Sequence, residues 1–182
     1  MLTMKSRIFI PFLSICLFSA ATLAEKRHHD AHTHGAAELN IVIENDIVLI
    51  EFESPAVNLI GFEHKPRTDA QQRELQNALA LLNDVEILVS FEKGECRATE
   101  THIRGPFDDD DQEGSEHGEQ EEHSEFHATY TLSCQNASAI NSVRTQLFDR
   151  FPGFEAIRVR WVASKGHGTA LLNNHSTTFS IE

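Results

Sequence analysis

The stretch AELNIVIENDIVLIEFE, residues 37–53, decides the fold class. Apolar side chains alternate with other side chains on both sides of the pair Asn45-Asp46. Successive side chains of a strand point to opposite faces, so this alternation predicts strands over 37–44 and 47–53. Asn and Asp favour tight turns, and the pair therefore joins the two strands into a β-hairpin.

The pattern beyond the hairpin alternates further strands with two helices. Apolar residues recur at helical spacing over 69–82, where Thr68 or Asp69 can cap the first turn, and again over 137–150. The alternation and the turn residues predict six more strands, over 85–91, 96–104, 126–134, 154–163, 169–172 and 177–181.

This order of elements predicts an α+β fold made of two similar α/β units. The first unit covers residues 25–106 and includes a histidine-rich N-terminal segment, and the second covers 126–182. Each unit has antiparallel strands packed by one helix. An internal duplication is the hypothesis that follows, and it rests on the pattern alone because the two halves share little sequence identity.

Residues 1–24 have the three-part pattern of a secretory signal peptide. Two cations precede an apolar run over 8–21, and small residues frame the last triplet, which ends at Ala24. The run is shorter than the ~20 residues of a membrane span. We therefore expect cleavage near Ala24 and an exported protein without stable membrane insertion. A lipid anchor at Cys16 is the alternative, which the bulky preceding residue disfavours.

Removal of that segment leaves two cysteines, Cys96 and Cys134. An even pair in an oxidising compartment predicts one disulfide, which would close a loop of 38 residues. Chain entropy makes such a constraint worth roughly 3–4 kcal/mol. Two separate thiols, or a thiolate pair that binds metal without C-x-x-C spacing, are the alternatives.

The charge of the chain predicts cations as partners. Without residues 1–24, 13 Lys and Arg face 28 Asp and Glu, a net charge of −15 that repels nucleic acid and anionic lipid. The block FDDDDQEGSEHGEQEEHSEF, residues 107–126, holds ten acids and no Lys or Arg. Such a composition cannot bury a core, so it predicts an acidic histidine-rich loop over 107–125.

The histidines are the candidate metal ligands. Four lie within EKRHHDAHTHGAAELN, residues 25–40, at His28, His29, His32 and His34. Imidazole binds zinc, copper and nickel, and the two rings of an H-x-H pair point the same way on an extended chain. His32 and His34 can therefore bind one ion, with His28, His29 or Asp30 as a third ligand. The alternative is a disordered tail with weak, adventitious metal binding.

Five further histidines are candidates, namely His64, His102, His117, His123 and His127. His102 alternates with Glu100 on a predicted strand, so both side chains can face one side. His117, His123 and His127 lie in or beside the acidic loop, where mixed imidazoles and carboxylates predict loose capture of several ions. The alternatives are a solvated charge run in the loop and a plain surface histidine at His64.

Two motifs give the chain a family resemblance. HTHG at 32–35, followed by the AEL strand, and ESPAVNLIGFEH at 53–64 resemble the zinc-regulated periplasmic protein family known as ZrgA. The resemblance implies zinc binding in the periplasm and a part in zinc acquisition, alongside an outer-membrane receptor and its energy-transducing proteins. It gives His32, His34 and His64 more weight as ligands.

The sequence therefore favours a periplasmic zinc-binding accessory protein that captures, buffers or relays zinc. The chain has no H-E-x-x-H, G-x-S-x-G, Walker or G-x-G-x-x-G motif, and we predict no enzyme activity. A zinc-dependent metalloenzyme and an interaction module with incidental histidines are the alternatives. Imidazole ligands alone do not choose among zinc, nickel and copper.

Overall fold

The computed structural model describes residues 33–108 and 124–181. Its larger sheet contains six strands, namely β1 (Ala36–Glu44), β2 (Ile47–Pro55), β4 (Cys96–Arg104), β5 (Glu125–Cys134), β7 (Ala156–Ala163) and β8 (Gly166–Leu172). Their order across the sheet is β4-β5-β2-β1-β7-β8. All neighbours are antiparallel except β1 and β7, which run parallel.

A smaller antiparallel sheet and four helices complete the described part of the chain. The sheet has the order β3-β6-β9, formed by β3 (Ser90–Phe91), β6 (Ser142–Arg144) and β9 (Thr178–Ser180). The helices are α1 (Ala56–Ile60), α2 (Asp69–Leu82), α3 (Val85–Leu88) and α4 (Leu147–Arg150). The predicted α+β class is confirmed.

The hairpin of β1 and β2 lies at the centre of the larger sheet. One face of both strands is buried, and each of its apolar side chains is less than a tenth exposed. These side chains are Leu39, Ile41, Ile43, Val48, Ile50 and Phe52. These side chains join a single core that also contains Val143 and Phe179 from the smaller sheet. Burial of alternate residues therefore fixes both the faces of the hairpin and its pairing register.

Helix α2 is held against the larger sheet at its last residue. Its start is capped by Thr68, whose Oγ1 accepts a hydrogen bond from the backbone N–H of Gln71 at 3.2 Å. At its end, the hydroxyl of Tyr130 on β5 donates a hydrogen bond to the carbonyl of Leu82 at 2.6 Å. Burial raises the pKa of the Tyr130 phenol, which keeps this donor protonated.

The disulfide between Cys96 and Cys134 is confirmed. The two residues lie directly opposite each other in the pairing of β4 with β5. The bond therefore links the two strands that precede and follow the acidic segment of the sequence.

The strand predicted over 85–91 is wrong for its first half. Residues Val85–Leu88 form α3, and only Ser90–Phe91 form a strand. The Asp84 carboxylate caps this helix by accepting a hydrogen bond from the N–H of Glu86 at 3.0 Å. A short apolar run fits a buried helix as well as a strand, so the local cap decides between them.

The helix predicted over 137–150 is also wrong, except for its last four residues. This segment forms a 3-10 turn over Ala137–Ala139, then β6, then α4. β6 pairs with both β3 and β9, and these pairings satisfy the backbone groups that a helix would otherwise bond internally.

The predicted internal duplication is not confirmed. β1 and β2 from the first half of the sequence pair with β7 and β5 from the second half. The second half also lacks, among the residues described, a counterpart to the 14-residue helix α2.

The bond between Tyr130 and Leu82 gives a test of how α2 is held. We expect Tyr130→Phe to lower the free energy of unfolding by about 1–3 kcal/mol, because the buried Leu82 carbonyl loses its side-chain donor. Urea denaturation measures this change. Thr129→Ala, on the exposed side of the same strand, is the control and should change stability by less than about 0.5 kcal/mol. Equal stabilities for Tyr130→Phe and the parent would contradict the assignment.

Candidate metal centre

His34 and Glu63 meet at the end of the larger sheet where β1 begins. Nε2 of His34 lies 3.2 Å from Oε1 of Glu63 and 3.3 Å from its Oε2. The side chains are 68% and 40% exposed, so ions in solution reach both groups. Two ligands bound to one tetrahedral zinc at the usual lengths lie about 3.3 Å apart. The contact is a hydrogen bond, or an ion pair when His34 is protonated, and the separation of its atoms is also that of two ligands on one zinc ion.

A tight turn fixes the backbone beside His34. The N–H of Ala36 donates a hydrogen bond to the carbonyl of Thr33 at 2.9 Å, which closes a turn with His34 and Gly35 at its centre. Gly35 has φ +83°, a conformation that favours glycine and suits the third position of a type II turn. The turn thus holds His34 immediately before the first strand.

The backbone of Glu63 is fixed from two sides. Gly61, with φ +78°, ends helix α1 and donates its N–H to the carbonyl of Val57 at 2.9 Å. The hydroxyl of Ser124 donates a hydrogen bond to the carbonyl of Glu63 at 3.0 Å. Ser124 therefore brings the end of the acidic segment to the same loop that carries Glu63.

His64 makes a hydrogen bond through one of its two ring nitrogens. Its Nδ1 lies 2.9 Å from the carbonyl oxygen of Lys65. A carbonyl only accepts, so Nδ1 donates this hydrogen bond, and in the neutral ring the lone pair is then on Nε2. The ring also stacks on Phe62, with centroids 5.2 Å apart. A metal-binding histidine commonly has its other nitrogen bonded in this way.

Glu100 and His102 lie side by side on β4, as the alternation predicts. Nε2 of His102 is 2.8 Å from Oε1 of Glu100, and the side chains are 71% and 61% exposed. Because β4 is an edge strand, this pair lies at the margin of the sheet. It offers one imidazole and one carboxylate to solvent.

His127 contacts a carboxylate through each ring nitrogen. Nε2 lies 3.4 Å from Glu125, and Nδ1 lies 3.5 Å from Glu53 on the neighbouring strand. The hydrogen bond to Glu125 raises the pKa of His127 above 6.5, against the opposing effects of partial burial and the Arg104 charge. The raised pKa favours the imidazolium form, and metal binding requires the ring to lose this proton.

The structure brings His34 and His102 each together with one carboxylate and His127 with two. Over residues 33–108 and 124–181, no three side chains among His, Cys, Asp and Glu form a group that could hold a metal ion. Five candidates lie outside the described residues, namely His28, His29, His32, His117 and His123. The metal-binding roles of all nine histidines therefore stay predictions.

Sequence reasoning missed the carboxylate partners Glu63 and Glu53. Both belong to the motif at 53–64, so their place in that motif was the available signal. Their contacts reach His34 and His127, which are 29 and 74 residues away along the chain. The spacing of residues along the sequence does not predict contacts between residues so far apart.

Comparison with known families identifies the chain. Residues 31–181 match the family described as ZrgA family zinc uptake protein. The chain belongs to the ZrgA family. Membership confirms the resemblance carried by the two motifs, and it gives this ZrgA chain a role in zinc uptake and an association with zinc. No curated protein matches the chain.

The disulfide and the ZrgA match together indicate an exported protein. Among the helices of the described residues, none has the length and apolar character needed to cross a membrane.

The surroundings of His127 predict a pH-dependent contribution to stability. Its folded-state pKa is raised, so its stabilising effect is present below the unfolded value of about 6.5 and is lost as pH rises through the folded value. We expect His127→Gln to lower the free energy of unfolding at pH 5.5 by up to about 1 kcal/mol and to have little effect at pH 9.

Chemical denaturation at the two pH values measures this difference. His175→Gln, at an exposed position, is the matched control and should behave alike at both. Equal destabilisation by His127→Gln at pH 5.5 and pH 9 would show that the carboxylates do not favour the imidazolium.

Proposed function

We propose that this ZrgA-family chain is a periplasmic zinc-binding accessory protein, which captures, buffers or relays zinc during zinc acquisition. One observation carries the proposal. An imidazole and a carboxylate, those of His34 and Glu63, lie 3.2 Å apart within the segment that matches a zinc uptake family. The two groups are ligand types that zinc binds, and their separation is compatible with one shared ion.

A site built on this pair suits transfer better than permanent storage. Structural zinc sites are closed by four protein ligands, whereas sites that exchange a ligand keep a position open. His34 and Glu63 supply two ligands, and His32, two residues earlier in the sequence, is our candidate for a third. At least one position then stays available to water or to the group that delivers or accepts the ion.

The charge of the chain supports capture. A formal net charge of −15 without residues 1–24 raises the local concentration of cations around the protein. The acidic block over 107–126 adds carboxylates and imidazoles that hold cations weakly. We propose that this segment collects zinc and that the His34 and Glu63 pair retains it.

The proposal locates the protein in the periplasm, after removal of residues 1–24 as a signal peptide. The family match and the disulfide support export. An outer-membrane receptor with its energy-transducing proteins would deliver the zinc. The proposal assigns no chemical reaction to the bound ion, and zinc-dependent turnover of a hydrolysable substrate would contradict it.

The pair gives a direct test. We expect His34→Ala to weaken zinc binding at the tightest site at least about 10-fold, because the site loses its fixed nitrogen ligand. Glu63→Gln should also weaken binding, since an amide is a poorer ligand than a carboxylate. Titration calorimetry of the mature protein with zinc chloride measures both. His175→Ala is the matched control, and an unchanged dissociation constant in His34→Ala would exclude the pair as the site.

The acidic segment gives a separate test. We expect replacement of residues 109–123 by a short Gly-Ser linker to remove the weak zinc sites and to leave at least one tight site. The reason is that His34 and Glu63 are positioned by the turn at Gly35 and by α1, outside the replaced segment. The number of ions bound and their affinities are read from the same titration. Loss of all zinc binding would contradict an ordered site at the start of β1.

A further inference from the structure

Asn58 is a buried amide within an otherwise apolar helix. Its side chain belongs to α1, where Ala56, Leu59 and Ile60 are buried in the core, and the residue is 3% exposed. Burying an amide costs free energy unless its polar atoms are bonded. An apolar side chain would stabilise the core more, so the hydrogen bonds of the amide must account for asparagine at this position.

The amide bonds the backbone immediately after His34. Oδ1 of Asn58 accepts a hydrogen bond from the N–H of Gly35 at 2.7 Å, and Nδ2 donates to the carbonyl of Ala36 at 2.8 Å. Nδ2 also donates to Oγ of Ser54 at 3.1 Å. Donors and acceptor are all used, so the orientation of the amide is fixed.

The residues before and at the start of β7 also hold the Gly35 turn in place. The carbonyl of Gly35 accepts hydrogen bonds from the N–H groups of Glu155 and Ala156, at 2.7 and 3.0 Å. Gly153 packs so closely that a Cβ there would lie 2.5 Å from the carbonyl oxygen of Asn58. The turn that carries His34 is therefore clamped between Asn58 and the start of β7.

Both members of the candidate ligand pair depend on α1. Glu63 follows the helix directly, after the cap at Gly61, and His34 is tied to the helix through the side chain of Asn58. The amide atoms themselves are occupied by backbone groups and Ser54. Asn58 thus acts on an ion only through the placement of His34.

We propose that Asn58 is a positioning residue, which holds the Gly35 turn so that His34 faces Glu63 at zinc-ligand distance. This inference rests on the proposed function, because it assigns a role toward the same zinc site. Residues that orient a ligand commonly change metal affinity 10–100-fold when they are removed. Loss of the amide frees the turn and lets His34 leave the carboxylate.

A double-mutant cycle tests the proposal on the full mature chain. Zinc dissociation constants are measured for the parent, Asn58→Ala, His34→Ala and the double variant. We expect Asn58→Ala to weaken zinc binding about 10-fold in the parent and less than about twofold in the His34→Ala background. A purely structural role would weaken binding equally in both backgrounds, and that result would overturn the proposal.

Two further variants separate positioning from loss of fold. Asn58→Asp keeps the acceptor for Gly35 and loses the donor to Ala36, so its affinity should fall between those of the parent and Asn58→Ala. Val143→Ala, in the smaller sheet, is a buried control that lowers stability and should keep the parent affinity. Parent affinity in a folded Asn58→Asp and in Asn58→Ala would refute positioning.

The same data distinguish failure of this inference from failure of the proposed function. If His34→Ala binds zinc as tightly as the parent, the proposed site is wrong, and the positioning role of Asn58 is wrong as well. If His34→Ala weakens binding and Asn58→Ala does not, the site stands and only the role of Asn58 is wrong.

Discussion

The pairing register of the central hairpin is the constraint on which the rest of the structure depends. β2 pairs with β5 and β1 pairs with β7, so every strand of the larger sheet joins the hairpin directly or through one neighbour. A shift of one residue in this pairing would turn the apolar side of one of the two strands toward solvent. His34 precedes β1 and Glu63 follows β2 after one short helix, so this register also determines where the candidate metal pair lies.

Local signals explain which elements the sequence predicts well. The hairpin and α2 are predicted closely because side-chain alternation and helical spacing are properties of the segment itself. The segment over 137–150 shows the limit. Ile140, Val143 and Leu147 have helical spacing and are fully buried, so the pattern finds the core. The backbone conformation there depends on pairing with β3 and β9, which are distant in the sequence.

The candidate site also combines a residue that the sequence predicts with a partner that only the fold brings close. His34 was a candidate from its spacing to His32, but its partner Glu63 could not be predicted because the contact spans 29 residues. The contacts made by the motif ESPAVNLIGFEH show why such partners could not be predicted. Glu53 contacts His127, Asn58 bonds Gly35, and Glu63 contacts His34. The polar residues of one short segment thus connect it to two other parts of the chain, the turn at His34 and Gly35 and the strand that carries His127.

The pairing of β4 with β5 makes the fold tolerant of changes in the chain between these two strands. The disulfide closes this strand pair at one end, and Arg104 lies opposite His127 at the other. Chain inserted between these strands leaves and re-enters the sheet at adjacent points, and loop-closure entropy grows only slowly with length. The pairing of β4 with β5 therefore constrains the length and composition of the chain between Arg104 and Glu125 only weakly.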